Sequence, residues 1–280
     1  MHPISTTALS DALSTEAARS SKRVLVTGGA YRLGALICRT FAQAGWEVWC
    51  HYHRSADAAQ ALCHALQQLG ASAHTVQADL AIEAQRRQMV EHITAQAGAL
   101  HCIVNNASSF EPDSADQLDV AGARQQLEVN LLAPLSLASL MAQSLPTGEC
   151  LGARSIIHVL DQKVFNLNPD YFSYTVSKLA LERAIALQAQ ALAPQLRVCG
   201  VAPGLMFLSG PQTQDNFDQA AQVNLMRRAI DPQQVAASCL FLAENPCITG
   251  VTLTVDNGQH LVPLSRDVMF AVQALPKANP

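Results

Sequence analysis

The chain has 280 residues, 49% of them hydrophobic and only 14% charged, so it carries enough apolar side chain for a sizeable core and is not globally disordered. Lys plus Arg total 18 against 22 Asp plus Glu, and the net charge of −4, with no basic cluster, argues against nucleic acid or a membrane surface as a partner. No apolar stretch reaches the roughly 18 residues of a membrane span, the N-terminus has no continuous apolar signal core, and the eight cysteines stand singly without a Cys-x-x-Cys pair, so reduced, buried thiols in a cytoplasmic protein are expected.

Residues 1–21 are small and polar and read as a mobile tail. Regular structure is expected from there. A strand at 23–27 ends in Gly28-Gly29, a helix over 35–45 closes on Gly45, and a second strand covers 46–52. A helix follows over 55–70, with Ser55 suited to its N-cap and Gly70 after its end. A third strand (72–78), a helix (82–97) and a fourth strand (100–107) come next, then a mainly helical stretch over 121–144 in which Pro134 is a candidate kink. The fifth strand (154–160), a long helix (172–193), the sixth strand (196–202), a helix (232–243) and a last strand (251–256) complete the pattern.

Strict alternation of strands and helices predicts one doubly wound α/β domain over 22–260, with a mainly parallel seven-stranded sheet and a C-terminal extension over 261–280. Ligands bind such sheets beyond the carboxyl ends of the strands. Six strand ends deliver unusual residues to that edge: Gly28 to Gly34, His53-Arg54-Ser55, Asp79, Asn105-Asn106, Asp161 and Pro203-Gly204.

The first of these, Thr-Gly-Gly-Ala-Tyr-Arg-Leu-Gly over 27–34, suits a nucleotide pyrophosphate. Glycine allows a tight turn and close approach, and the helix N-terminus behind Arg32, Leu33 and Gly34 favours negative charge. Folds that bind NAD in this way usually end the second strand on an acid that takes the ribose hydroxyls. Here that strand ends in His51-Tyr52-His53-Arg54-Ser55, with no acid. His53, Arg54, Ser55 and Arg32 can donate to a 2′-phosphate, so NADP(H) is the expected cofactor. Asp79-Leu80 suits the adenine end and Asn106-Ala107 the cofactor backbone, although both also read as ordinary turn residues.

Tyr174 and Lys178 lie four residues apart and share one face of the long helix. A neighbouring ammonium favours phenolate and would lower the tyrosine pKa. Asn130 is a polar residue in an apolar stretch, suited either to a local backbone group or to a water that relays protons toward Lys178. The remaining histidines show no metal-ligand spacing, and no metal is expected.

From Lys22 to Gly258 the sequence resembles the short-chain dehydrogenase/reductases. Within them it looks like the pteridine reductases and the related bacterial dihydromonapterin and dihydrofolate-type reductases. The segments that carry the likeness are the 27–34 turn, His51 to Ser55, Gln77 to Leu80, Asn105 to Phe110, Asp161, Tyr174 to Lys178 and Pro203 to Leu205. Arg32 stands where most of that family has glycine, and Asp161 where its typical members have a catalytic serine.

The resemblance implies a Rossmann-type fold, NADPH, a homotetramer, and a pterin held between the nicotinamide and Phe110. It also implies that Arg32 and Ser108 contact both cofactor and pterin, and that 205–223 is a mobile substrate loop from which Leu205, Met206 and Leu208 line the pocket, although core packing explains those three equally well. Asn257 replaces a frequent glycine, and Arg266 would reach a neighbour's active site. A buried carboxylic acid donates a proton to a ring nitrogen more readily than it stabilises an oxyanion, so Asp161 points from C=O toward C=N reduction. The expected reaction is hydride transfer from NADPH to a dihydropterin, with Asp161 and Tyr174 supplying the proton, Lys178 holding the ribose and Asn130 supporting the proton path. A carbonyl reductase and a non-catalytic NADP sensor are the competing readings.

Overall fold

The computed structural model describes residues 22–144, 152–210 and 212–273. The expected tail over 1–21 lies outside them, as do Cys150 and residues 274–280. In chain order come β1 (Arg23–Val26), α1 (Arg32–Gln43), β2 (Glu47–Tyr52), α2 (Ala56–Gln68), β3 (Ala73–Gln77), α3 (Glu83–Ala97) and β4 (Cys102–Asn105). Then come α4 (Val120–Leu127), a π-helical turn (Glu128–Leu132), α5 (Ala133–Gln143), β5 (Arg154–Val159), a 3-10 turn (Gln162–Val164), α6 (Phe172–Leu192) and β6 (Leu196–Pro203). The last elements are α7 (Gln214–Ala220), α8 (Pro232–Glu244), β7 (Thr252–Val255), a 3-10 turn (Gln259–Leu261) and α9 (Val268–Gln273).

The seven strands form one sheet in the order β3-β2-β1-β4-β5-β6-β7, and every neighbouring pair is parallel. Successive strand residues face opposite sides. In β1, Val24 and Val26 pack with Ile37 and Phe41 of α1 and Val235 of α8, all of them fully buried. Leu25 faces the other way, into a core that includes Ile93 of α3, Leu137 and Met141 of α5 and Leu181 of α6. Each such side chain contributes about 1.5–3 kcal/mol by leaving water, and covering both faces leaves only the strand ends open for ligands.

Two features lie outside the expected pattern. The helical stretch over 121–144 is two α-helices joined by the π-helical turn. Pro134 sits at the start of α5, where its missing N–H costs little, and the irregularity falls just before it. The described part of the C-terminal extension packs onto the domain, which the alternation does not specify: Val268 and Val272 of α9 are buried against Ala220 of α7, and the Asn216 side chain donates to the Met269 carbonyl. Cys38, Cys50, Cys63, Cys102, Cys199 and Cys239 are buried free thiols, whereas Cys247 is exposed. Among the described residues no helix is long and apolar enough to cross a membrane.

Candidate active site

The turn after β1 is locked to the end of β4. Thr27 Oγ1 accepts from the amides of Asn106 (2.9 Å) and Ala107 (3.0 Å), and Asn106 Nδ2 donates to the carbonyls of Thr27 and Gly28. Two glycines are required by this closeness. Gly28 has φ +61 and a Cβ there would sit 3.0 Å from Ala107 Cα; a Cβ on Gly34 would overlap the Gly28 carbonyl oxygen. The Gly28 amide donates to His51 Nδ1 at 3.0 Å, while His51 Nε2 bonds the Ala78 carbonyl. Burial pushes the His51 pKa down to about 4, which keeps the ring neutral and Nδ1 an acceptor.

The N-cap of α1, Tyr31, makes no side-chain capping bond, and the first-turn residues Arg32, Leu33 and Gly34 line the cleft, which suits an anion. Arg32 takes φ +50, the left-handed region that glycine would enter freely. Its guanidinium donates to the Leu208 carbonyl at 2.8 Å and lies 4.9 Å from the Phe207 ring centroid, tying the first turn to the segment that follows β6.

Beyond β2 the cleft widens to about 940 Å³, with His53, Arg54 and Ser55 on its wall beside Asp79 and Leu80. Arg54 is exposed, and His53 Nε2 lies 3.7 Å from Asp79 Oδ2. Asn105 stays out of this cleft, buried with its amide against His158 Nδ1 at 3.2 Å. The cleft continues into a cavity of about 500 Å³ whose wall includes Arg32, Ser108, Phe110, Asp161, Tyr174 and Lys178, with Pro203, Gly204 and Leu205 closing one side.

Asp161 leaves the end of β5 and caps the 3-10 turn, accepting the Lys163 amide on Oδ1. Its other oxygen, Oδ2, accepts the Tyr174 hydroxyl at 2.9 Å. Burial pushes the Asp161 pKa up, against the pull of the Lys163 amide and ammonium. Burial and the adjoining carboxylate together push Tyr174 well above the usual phenol range. The expected depression of the Tyr174 pKa by Lys178 is therefore reversed. Lys178 Nζ stands 5.7 Å from the Tyr174 ring centroid and donates to the Val159 carbonyl at 2.8 Å, so the carboxylate is the nearer charge. Lys178 is itself buried, which lowers its pKa to about 8.

Asn130 does not direct its amide at Lys178. Its Oδ1 accepts from Ser108 Oγ and the Ser109 amide, and its Nδ2 donates to the Ser109 carbonyl and to Ser177 Oγ. The π-helical turn swings Asn130 inward, so it holds the Ser108 loop against α6. Phe110 reaches the cavity but stacks on Tyr171 (centroids 4.1 Å apart) and meets Tyr174 edge-on at 4.6 Å. Leu208 contributes its carbonyl to Arg32; its side chain is outside the cavity wall and 42% exposed. Arg266 pairs with Asp170 of its own chain at 2.8 Å. Asn257 takes φ +53, the conformation that made its replacement of glycine tolerable.

Several wall residues gave no sequence signal. Gln162 and Lys163 follow Asp161, and Asp267 and Met269 come from beyond the last strand. Lys163 Nζ is held by Asn168 Oδ1, the Asp170 carbonyl and Asp267 Oδ2, which binds the C-terminal segment to the cavity.

Comparison with known proteins agrees with this geometry. The family described as Enoyl-(Acyl carrier protein) reductase matches residues 29–260. Pteridine reductase 1 of Leishmania tarentolae is 32% identical, over 85% of this chain and 96% of its own length. A dihydromonapterin reductase of Escherichia coli (strain 536) is 27% identical over the same shares. The crystal structure of FolM Alternative dihydrofolate reductase 1 from Brucella suis in complex with NADP superposes with a TM-score of 0.82 at 36% identity, covering 86% of this chain and 96% of that one. The chain belongs to the short-chain dehydrogenase/reductase family of oxidoreductases, alongside pteridine and dihydromonapterin reductases.

Proposed function

We propose that the protein reduces a pterin with NADPH, taking a dihydropteridine to the tetrahydropteridine by hydrogenating a C=N bond, with oxidised pterin and dihydrofolate as further candidate substrates. The observation that carries this reading is the Asp161–Tyr174 hydrogen bond at 2.9 Å, a carboxyl where typical family members have a serine.

The residues present fit NADP(H). The uncapped start of α1 and the glycines at 28 and 34, where a Cβ would strike backbone, form a cradle for the pyrophosphate. Arg54, with Arg32, His53 and Ser55, supplies positive charge and donors where an acid would select NAD. Asp79 and Leu80 would border the adenine, Asn106, Ala107 and Ser108 the middle of the cofactor, and Lys178, Pro203 and Gly204 the nicotinamide ribose end. When bound, the cofactor supplies the hydride.

The chain's own residues handle the proton. Burial raises the Asp161 pKa, and burial with the adjoining carboxylate holds Tyr174 well above the usual phenol range, so the hydrogen-bonded pair keeps the phenolic proton beside the cavity. A carboxylic acid there donates to a basic ring nitrogen; as an anion it would repel a developing oxyanion. Arg32, Ser108, Phe110 and Leu205 would face the substrate, and Asn130 fixes Ser108 for that purpose. Loss of NADPH absorbance with dihydrobiopterin, dihydrofolate or an acetoacetyl thioester tests the reading. Turnover of a pterin is expected; turnover of the thioester alone would overturn it, and NADPH binding without any turnover would make the protein a sensor.

A further inference from the structure

Three glutamines line the 500 Å³ cavity, and two of them are used in building its wall. Gln212 accepts the Ser209 amide and donates to Asn216 Oδ1; Gln259 accepts the Leu205 amide. The third, Gln162, is 7% exposed, and its Oε1 is shut off from water without a hydrogen-bond donor among the described residues. Buried carbonyl oxygens are normally paired, and an unpaired one is costly. This one lies next in sequence to Asp161, whose carboxyl holds Tyr174.

Resting on the pterin reading above, we propose that Gln162 is a substrate-selecting residue: its Oε1 accepts a hydrogen bond from an N–H or O–H of the bound substrate. The other side-chain amides described in that wall, Asn106, Gln212 and Gln259, are each hydrogen-bonded, which leaves Gln162 to take a donor that enters with the ligand. The terminal torsion of a glutamine turns over a broad range at little cost. Turning it would bring the buried oxygen round to the cavity that Gln162 lines without backbone movement, while Asp161 stays fixed by the Lys163 amide and the Tyr174 hydroxyl. A flat pterin offers such donors on its ring and, where its side chain is hydroxylated, there too. A simple ketone or thioester offers none, so the same oxygen would disfavour the carbonyl substrates that typical family members reduce.

The test compares wild-type enzyme with Gln162→Met, which keeps length and loses the acceptor. The substrates are dihydrobiopterin, whose side chain carries hydroxyls, and 6-methyl-dihydropterin, which has ring donors only. The variant is expected to lower kcat/KM for dihydrobiopterin about tenfold, the scale of one hydrogen bond. The loss should fall mainly in KM, with the Kd for NADPH unchanged. An equal loss on the methyl compound assigns the donor to the ring, and a loss confined to dihydrobiopterin assigns it to the side chain; both support the inference. Unchanged KM for both pterins, or weaker NADPH binding, overturns it. Should the methionine variant fail to fold, Gln162→Asn withdraws the oxygen by one methylene and is held to the same outcomes. Wild-type enzyme that reduces neither pterin overturns the proposed function and this inference together, and that result is seen before any variant is made.

Discussion

Tyr174 donates its phenolic hydrogen to Asp161 across 2.9 Å, joining the first turn of α6 to the end of β5. The influence is one-sided: burial and the neighbouring carboxylate disfavour phenolate on Tyr174, whereas it is burial that disfavours charge on Asp161, against the hydrogen bond it accepts from the phenol. Replacing Asp161 by Asn keeps the shape and removes the acid. Loss of pterin reduction by about 10²-fold or more is expected for Asp161→Asn and for Tyr174→Phe, the usual scale for a general acid. NADPH affinity should survive in both, read by fluorescence titration.

Lys178 titrates near pH 8 in the free protein, because burial disfavours its charge. The ammonium is present below that pH and lost above it. The pH profile of kcat/KM for NADPH, which reports the free enzyme, should therefore fall on an alkaline limb centred near 8. In Lys178→Arg, whatever activity remains should lack that limb, since guanidinium keeps its charge.

Stability should fall on the acid side through His51 and His158. Both are buried, and burial lowers both to about 4 from an ordinary 6.5. Between those values the unfolded chain binds the protons that the folded chain refuses, so stability is whole above about 6.5 and is lost as pH falls toward 4. The slope is roughly 1.4 kcal/mol per pH unit for each histidine. Urea unfolding from pH 7 to 4.5 measures it, and His158→Gln should remove one histidine's share.

Arg54 is exposed at the β2 end of the cleft, where no acid stands. Arg54→Asp should cut the preference for NADPH over NADH by about 10-fold or more, because it exchanges a phosphate partner for a like charge. An unchanged preference ratio in steady-state assays would remove this residue from cofactor selection.

Gly34→Ala places a methyl group against the Gly28 carbonyl and 2.8 Å from Asn106 Nδ2. Neither can retreat without breaking the bonds between the first turn and β4. A destabilisation of about 2 kcal/mol or more is expected, with weaker NADPH binding, both measurable by thermal unfolding with and without the cofactor.

Much of this architecture was legible from one chain. Strand-helix alternation read out the parallel sheet, and of the residues selected at its strand ends Arg32, Arg54, Asp79, Asn106, Asp161 and Gly204 line one cleft, whereas Asn105 is buried against His158. What the sequence concealed depends on distances that no spacing encodes. Tyr174 is governed by a carboxylate at hydrogen-bond range rather than by the ammonium one turn away. Asn130 turns toward the Ser108 loop because a π-helical turn adds a residue to that stretch of helix. Leu208 acts through its carbonyl, which any residue would supply. Met269 lies beyond the last strand, where alternation has nothing more to say.

The position of Met269 also has a meaning for biosynthesis and engineering. A chain stopped just after β7 would carry the whole nucleotide cradle but would lack Asp267, Val268 and Met269 from the wall around the second ligand. Such a fragment should still load its dinucleotide while being unable to discriminate what that dinucleotide reduces. Tags or fusions joined near α9 therefore bear on selectivity as well as on packing, since Val268, Met269 and Val272 are buried there.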